Sequence, residues 1–195
     1  MTRPARIVAL CGSTRTPSTT ERALGIAAAH ARSLGAQVDF FSGSRLLLPH
    51  YGTPGAPLSS AALDLLTAVA SADGLLLGSP CYHGSVSGLL KNALDHLEEL
   101  RDDASPYLDG RAVGCIAVGR GTQGPANTLR ALRDIVHALR GWPTPLGVTV
   151  DSAACSALTN HDTQDRLKLV ARQVATFATG RRALSADLRS TPAVT

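Results

Sequence analysis

Aromatic side chains make up only 4% of this 195-residue chain, with a single tryptophan, and charged residues only 17%. Any core must therefore be built mainly from aliphatic residues. The 44% hydrophobic share suits a compact globular protein rather than a disordered one. No apolar run approaches the roughly 20 residues of a membrane span, which speaks against a transmembrane protein. The four cysteines show no CxxC or zinc spacing, so no metal site is indicated, and Cys11 and Cys115 read as small buried hydrophobes. Met1-Thr2-Arg3-Pro4 enters a strand almost at once, so no secretory leader is expected and the chain reads as cytoplasmic. The net charge is +4, yet Lys and Arg are scattered and form no basic stripe for nucleic acid. Two common phosphate motifs are also missing. Without GxxxxGK[ST] or a GxGxxG after the first apolar run, a P-loop NTPase and a standard dinucleotide fold are both disfavoured.

What stands after that first run is Gly-Ser-Thr-Arg-Thr-Pro-Ser-Thr-Thr over residues 12–20. Arg6 to Cys11 reads as a buried strand and Glu21 to Leu34 as a helix with one apolar side. A helix start offers unpaired N–H groups and the positive end of its dipole, which favour an anion. Ser13, Thr14, Ser18 and Thr19 add hydroxyl donors and Arg15 a guanidinium fork. A cradle for a cofactor phosphate is the reading adopted; a Ser/Thr-rich loop with an ordinary N-cap is the plainer one.

Strands and helices alternate along the rest of the chain. Strands are expected at 37–41, 74–78, 112–118 and 147–150, and helices at 59–70, 86–100, 127–140 and 165–178. Residues 46–57 read as a loop. Arg181 to Thr195 shows no period and reads as a mobile tail after a domain spanning 1–180. Five strands with intervening helices imply a parallel sheet covered on both faces, with strand order 3-2-1-4-5 or 2-1-3-4-5. In the second order a ligand sits where the order reverses, beyond the carboxyl ends of the strands.

The loops at those ends are rich in chemistry. Ser79-Pro80-Cys81-Tyr82-His83-Gly84-Ser85-Val86-Ser87-Gly88 follows strand three, with Ser85 or Ser87 placed to cap the next helix. Tyr82 supplies a planar face and a hydroxyl, and His83 a donor. Lys91 and Asp95, spaced i,i+4, can simply pair on a helix surface. Gly119-Arg120-Gly121-Thr122-Gln123-Gly124 follows strand four, and its glycines leave backbone groups bare for the edge of a heteroaromatic ring.

At these residues the chain resembles the NADPH-dependent FMN reductase family of the flavodoxin-like superfamily. GSTRTPS is similar to the family's GSxRxxS, and SPCYHGSVSGLLKNALDHL to its TPEYNGSxPGxLKNALDWL. Ala72-Asp73-Gly74-Leu75 and Leu108-Asp109-Gly110-Arg111 fall at the usual places. The resemblance covers roughly residues 6–178 and implies a flavodoxin-like three-layer sandwich with a five-stranded sheet in the 2-1-3-4-5 order. It implies that Ser13, Arg15, Ser18 and Thr20 hold the FMN phosphate. Pro80, Cys81, Tyr82, His83 and Gly84 would line the ribityl chain and one ring edge, and Gly119, Arg120, Gly121 and Thr122 the pyrimidine side. The implied activity is hydride transfer from NADPH to flavin N5, with no catalytic base and no metal. Arg15 and Arg120 are placed to attract nucleotide phosphates. Reduced flavin would pass to a partner monooxygenase, or bound FMN would reduce a quinone, azo compound, metal ion or specialised metabolite. A flavodoxin-type electron carrier is a further alternative. The resemblance also implies a homodimer or homotetramer, with the helix over 86–100 at the interface. Two positions depart from the pattern, Cys81 for the family's Glu and His83 for its Asn. Cys81 reads chiefly as a packing residue, with Cys155 a partner only if the fold brings it near.

Overall fold

The computed structural model describes residues 3–154 and 156–190. Its strands are β1 (Arg6–Cys11), β2 (Gln37–Phe41), β3 (Gly74–Pro80), β4 (Ala112–Gly119), β5 (Trp142–Pro143) and β6 (Val148–Asp151). All pair in parallel, in the order β2-β1-β3-β4-β5, with β6 also on β4. The expected 2-1-3-4-5 order is therefore the observed one. The fifth position is split, because Trp142 lies opposite Ala112 while Val148 lies opposite Ile116 farther along the same edge. Pro143 suits that edge, where no ladder partner asks for its missing N–H.

Five helices cover the sheet: α1 (Thr19–Ser33), α2 (Ser60–Ala70), α3 (Gly88–Asp95), α4 (Gln123–Ala138) and α5 (His161–Ser190). Successive side chains of a strand point to opposite faces, and β1, β3 and β4 sort accordingly. Ile7, Ala9, Cys11, Leu76, Ile116 and Val118 pack under α1 and α5. Val8, Leu10, Leu75, Leu77, Val113 and Cys115 pack under α2, α3 and α4. Both faces of the central strands are buried, which is why their sequences run almost unbroken in apolar residues.

Several ends differ from the sequence expectation. α1 begins at Thr19 rather than Glu21, which places Thr19 and Thr20 in its first turn. The helix expected over 86–100 is α3 followed by a 3-10 turn, His96–Leu100. α4 begins at Gln123, four residues before expected, because a proline in the first turn loses no helical hydrogen bond. α5 continues to Ser190, so residues 181–190, read from the sequence as part of a mobile tail, are helical, while 191–195 lie outside the described residues. Gly180 weakens the helix there without stopping it. Arg182 anchors this stretch, with Nε 3.8 Å from Asp73 Oδ1 and Nη1 donating to the Arg3 carbonyl.

Asp73 is buried where β3 begins. It takes Arg3 Nη1 at 3.1 Å and the Arg6 N–H at 2.8 Å. Arg111, also buried, donates to the carbonyls of Ala70 and Ala72 at 2.9 Å, at the carboxyl end of α2. The dipole there favours a cation, while burial and the nearby Arg181 push the guanidinium pKa down.

The close seat of α5 depends on glycine. A Cβ at Gly114 would lie 2.5 Å from Val170 Cγ1 and 2.8 Å from Leu76 Cδ2, one on each side of the crowded contact. Gly114→Ala is expected to destabilise the fold by about 1–3 kcal/mol, as overpacking does. Urea unfolding measures it, and an unchanged midpoint would refute the close packing.

Candidate functional site

The β1–α1 loop is held from below by the loop after β3. Gly12 N–H donates to the Gly78 carbonyl at 2.7 Å, and the buried Ser87 hydroxyl donates to the Gly12 carbonyl at 2.7 Å. The same Ser87 oxygen accepts Leu90 N–H and so caps α3, while Ser87 N–H donates to Ser79 Oγ at 3.0 Å. Ser87, not Ser85, is the cap. A Cβ at Gly12 would fall 2.6 Å from Ser87 Oγ, so only glycine allows this approach.

Above that lock the loop rises into α1. Ser18 is the N-cap, and its Oγ accepts Glu21 N–H at 3.0 Å. The N–H groups of Thr19 and Thr20 meet no acceptor among the described residues. Ser13 is buried and accepts Arg15 N–H, whereas the Arg15 side chain extends into solvent. Beneath the loop, burial pushes the Cys11 thiol pKa up.

The loop after β3 turns back on itself. Tyr82 and Ser85 exchange N–H···O bonds of 3.2 and 3.1 Å, with His83 (φ 53°) and Gly84 (φ 81°) at the tip. Positive φ at both tip residues is the geometry of the tight hairpin turns for which Asn-Gly is favoured. Histidine is among the side chains that tolerate it, which accounts for His83 in place of asparagine. Tyr82 is 45% exposed beside this turn. Lys91 Nζ lies 2.6 Å from Asp95 Oδ1 on the outer face of α3, a surface pair.

Cys81 resolves the glycines after β4. A Cβ at Gly119 would fall 2.7 Å from Cys81 Cβ, and one at Gly124 would fall 2.8 Å from Cys81 Sγ. Those two glycines make room for the half-buried thiol, the packing role expected of it. Cys155 lies outside the described residues. Cys115 is sealed in the core, where desolvation pushes its thiol up to about 12.

Asp151, at the end of β6, was not singled out from the sequence. Its Oδ1 accepts the N–H of Gly121 and of Ala153, each at 2.9 Å, and the next N–H, that of Ser152, donates to the Gly119 carbonyl at 2.8 Å. The loops after β4 and β6 are thereby joined into one wall. These two N–H groups hold the Asp151 carboxyl below its ordinary pKa of 3.8.

Together the loops enclose a cavity of about 330 Å³ lined by hydroxyls, two arginines and the apolar Pro17, Pro80 and Val118. Of the sequence-derived residues, Ser13, Arg15, Ser18, Thr20, Pro80, Cys81, Tyr82, Gly119 and Arg120 line it. His83, Gly84, Gly121 and Thr122 do not. The first two form the hairpin tip, Gly121 gives its N–H to Asp151, and Thr122 is the residue before α4. Thr19, read from the sequence as a hydroxyl donor of the cradle, also lines it, whereas Thr14 does not; Pro17, Val118 and Ser152 join the lining without having been selected. No Asp or Glu lines the cavity. A larger groove of about 510 Å³ lies at the other end of the sheet, between β2 and α2. Arg6 and Arg45 are balanced there by Asp39 and Asp64, and it receives none of the loops just described.

A hydroxyl-rich helix start with free N–H groups and two arginines, in a cavity that no Asp or Glu lines, fits an anionic cofactor phosphate. Residues 5–154 match the family model for NADPH-dependent FMN reductase. An FMN-dependent NADPH-azoreductase from Staphylococcus haemolyticus is 35% identical over 121 residues, covering 58% of this chain and 61% of that protein. One from Staphylococcus aureus (strain USA300) is 34% identical over the same length. The chain thus spans less than two thirds of these relatives' length. Among solved structures, the flavoenzyme NAD(P)H:(acceptor) oxidoreductase FerB from Paracoccus denitrificans superposes with a TM-score of 0.71 at 19% identity, covering 91% of this chain and 98% of that one. An apo NADH:FMN oxidoreductase superposes with a TM-score of 0.69 at 23% identity, covering 90% and 89%. These two likenesses carry the fold. No helix among the described residues is long and apolar enough to cross a membrane.

Asp151→Ala is expected to loosen the wall and weaken FMN binding, with little change in melting temperature. Flavin fluorescence titration beside thermal melts reads both, and unchanged FMN affinity would remove Asp151 from the site. The sign with pH follows from the lowered carboxyl. Its clamp is fully present above the ordinary value of 3.8 and is lost as pH falls through the lower folded value.

Proposed function

Because this chain belongs to the NADPH-dependent FMN reductase family, we propose that it binds FMN in the cavity beyond β1, β3 and β4 and reduces it with a nicotinamide nucleotide. What supports this reading is that Ser13, Arg15, Ser18 and Thr20 line one cavity together with the open first turn of α1, and that no Asp or Glu lines it. When bound, FMN supplies a two-electron centre at N5 that accepts hydride from reduced nicotinamide and passes electrons to an acceptor.

The chain's own part is positioning. Helix α1, with its free N–H groups and positive dipole end, would hold the phosphate. Pro80 and the bonded Tyr82–Ser85 turn form one side, and Gly119 with the Asp151-clamped loop forms the other. Val118 and Pro80 make part of the lining apolar, a surface that would favour the flavin ring over water. No residue of the cavity needs to act as acid or base in a direct hydride transfer.

The azoreductase relatives favour an azo compound as acceptor for FMN that stays bound, rather than release of reduced flavin to a monooxygenase. Turnover of added free FMN separates these two: release predicts saturation with FMN as a substrate, retention predicts none. The homodimer or homotetramer joined through residues 86–100 belongs to the same reading, and sedimentation of FMN-loaded protein as a monomer would remove it.

Anaerobic mixing of FMN-loaded protein with NADPH is expected to bleach the visible flavin band. Bound flavin that keeps its colour would leave an electron carrier instead. Arg15→Ala is expected to weaken FMN binding by about 1.5–3 kcal/mol, the scale of a charge-assisted hydrogen bond. Unchanged affinity would move the phosphate elsewhere.

A further inference from the structure

The cavity has two cationic walls, and one cofactor phosphate accounts for only one of them. Arg15 belongs to the β1–α1 loop and stands with the helix start. Arg120 rises from the loop after β4, and β3 lies between β1 and β4 in the sheet. The two loops therefore leave the sheet about two strand spacings, roughly 10 Å, apart. A phosphate seated on the first turn of α1 does not require Arg120.

The setting of Arg120 is fixed on both sides. The Gly119 carbonyl accepts Ser152 N–H at 2.8 Å, and Gly121 N–H is held by Asp151 at 2.9 Å. Between these anchors the Arg120 side chain is exposed and makes no hydrogen bond or ion pair among the described residues. Asp151, the carboxylate in this wall, gives its Oδ1 to two backbone N–H groups and forms no ion pair with Arg120. The clamped backbone thus presents a guanidinium with no partner among the described residues at the edge of a cavity that no Asp or Glu lines, a fork that suits a phosphate.

We propose that Arg120 is a second anion site, binding a phosphate of the incoming nicotinamide nucleotide and setting which nucleotide is used. This rests on the flavin-reductase reading above. That phosphate is either the 2′-phosphate that distinguishes NADPH from NADH or the pyrophosphate common to both. Arg120 is a specificity residue and takes no part in the hydride step.

The test is steady-state reduction by FMN-loaded wild type, Arg120→Ala, Arg120→Glu and Arg120→Lys, with NADPH, NADH and reduced nicotinamide riboside, which carries no phosphate, as donors. Loss of the charge is expected to raise KM for NADPH about tenfold or more, with kcat changed far less. Lys is expected to recover part of the loss and Glu to deepen it. A falling NADPH-to-NADH ratio of kcat/KM assigns the 2′-phosphate. Equal losses for both dinucleotides but not for the riboside assign the pyrophosphate. Equal losses for all three donors, or FMN affinity falling by the same factor as kcat/KM, would overturn the proposal. Wild type that binds FMN yet reacts with none of the donors would instead overturn the flavin-reductase reading. Binding of 2′,5′-ADP to loaded wild type and Arg120→Ala, followed by calorimetry, gives a readout independent of turnover.

Discussion

The buried hydrogen bond from the Ser87 hydroxyl to the Gly12 carbonyl is the constraint on which the rest of the site depends. It ties the start of α3 to the end of β1, so the loop above Gly12 cannot move without uncapping a helix. Each end of the bond is held again, Gly12 by Gly78 and Ser87 by Ser79. A buried polar group stripped of its partner costs more than its bond contributes, so the network holds as a unit. The open N–H groups of Thr19 and Thr20 stay open because the chain beneath them has no freedom to fold back and satisfy them.

A parallel sheet imposes the remaining geometry. All strands end on one edge, so the loops after β1, β3, β4 and β6 emerge together and must pack against one another. They do so with small residues and backbone bonds: Gly119 and Gly124 receive Cys81, and Asp151 bridges two loops. The wall is consequently preformed without any charged residue of the wall turning its acid into the cavity.

Legibility in the sequence followed the range of the interactions involved. The central strands were readable because burial on both faces leaves an unbroken apolar run, and the residue 12–20 cradle because its hydroxyls are contiguous. Helix bounds were less so: Thr19 follows from the Ser18 cap, the start at Gln123 from a proline that the first turn accommodates, and the run of α5 past 180 from contacts with distant segments, such as Arg182 with Asp73. Asp151 and Ser152 were invisible for the same reason. An acid after a short apolar run is common, and only the alignment of β6 beside β4 brings it to Gly121. His83 was readable as a departure from the family pattern, but its place at a hairpin tip required the positive φ to be seen. The glycines after β4 invited a ligand-facing explanation, whereas two of them serve the Cys81 side chain.

Charge is segregated along the strand axis, and this links stability to function. At the amino ends of the strands, the buried Asp73 is surrounded by Arg3, Arg182 and a backbone N–H, and Arg111 donates its hydrogen bonds to carbonyls at the negative end of α2. Those groups are compensated and serve to fasten α5 and the loop after α2. At the carboxyl ends the opposite holds: two arginines and a helix start face the cavity with no acid lining it. Buried charge without a partner is costly, so such a concentration persists only where solvent or a ligand supplies the counter-charge. Arg15 and Arg120 meet that condition by exposure, and the N–H groups of α1 by opening onto the cavity. The uncompensated end of the sheet is therefore where an anion lowers the free energy most, and the compensated end is where the fold can bear the cost of keeping it open.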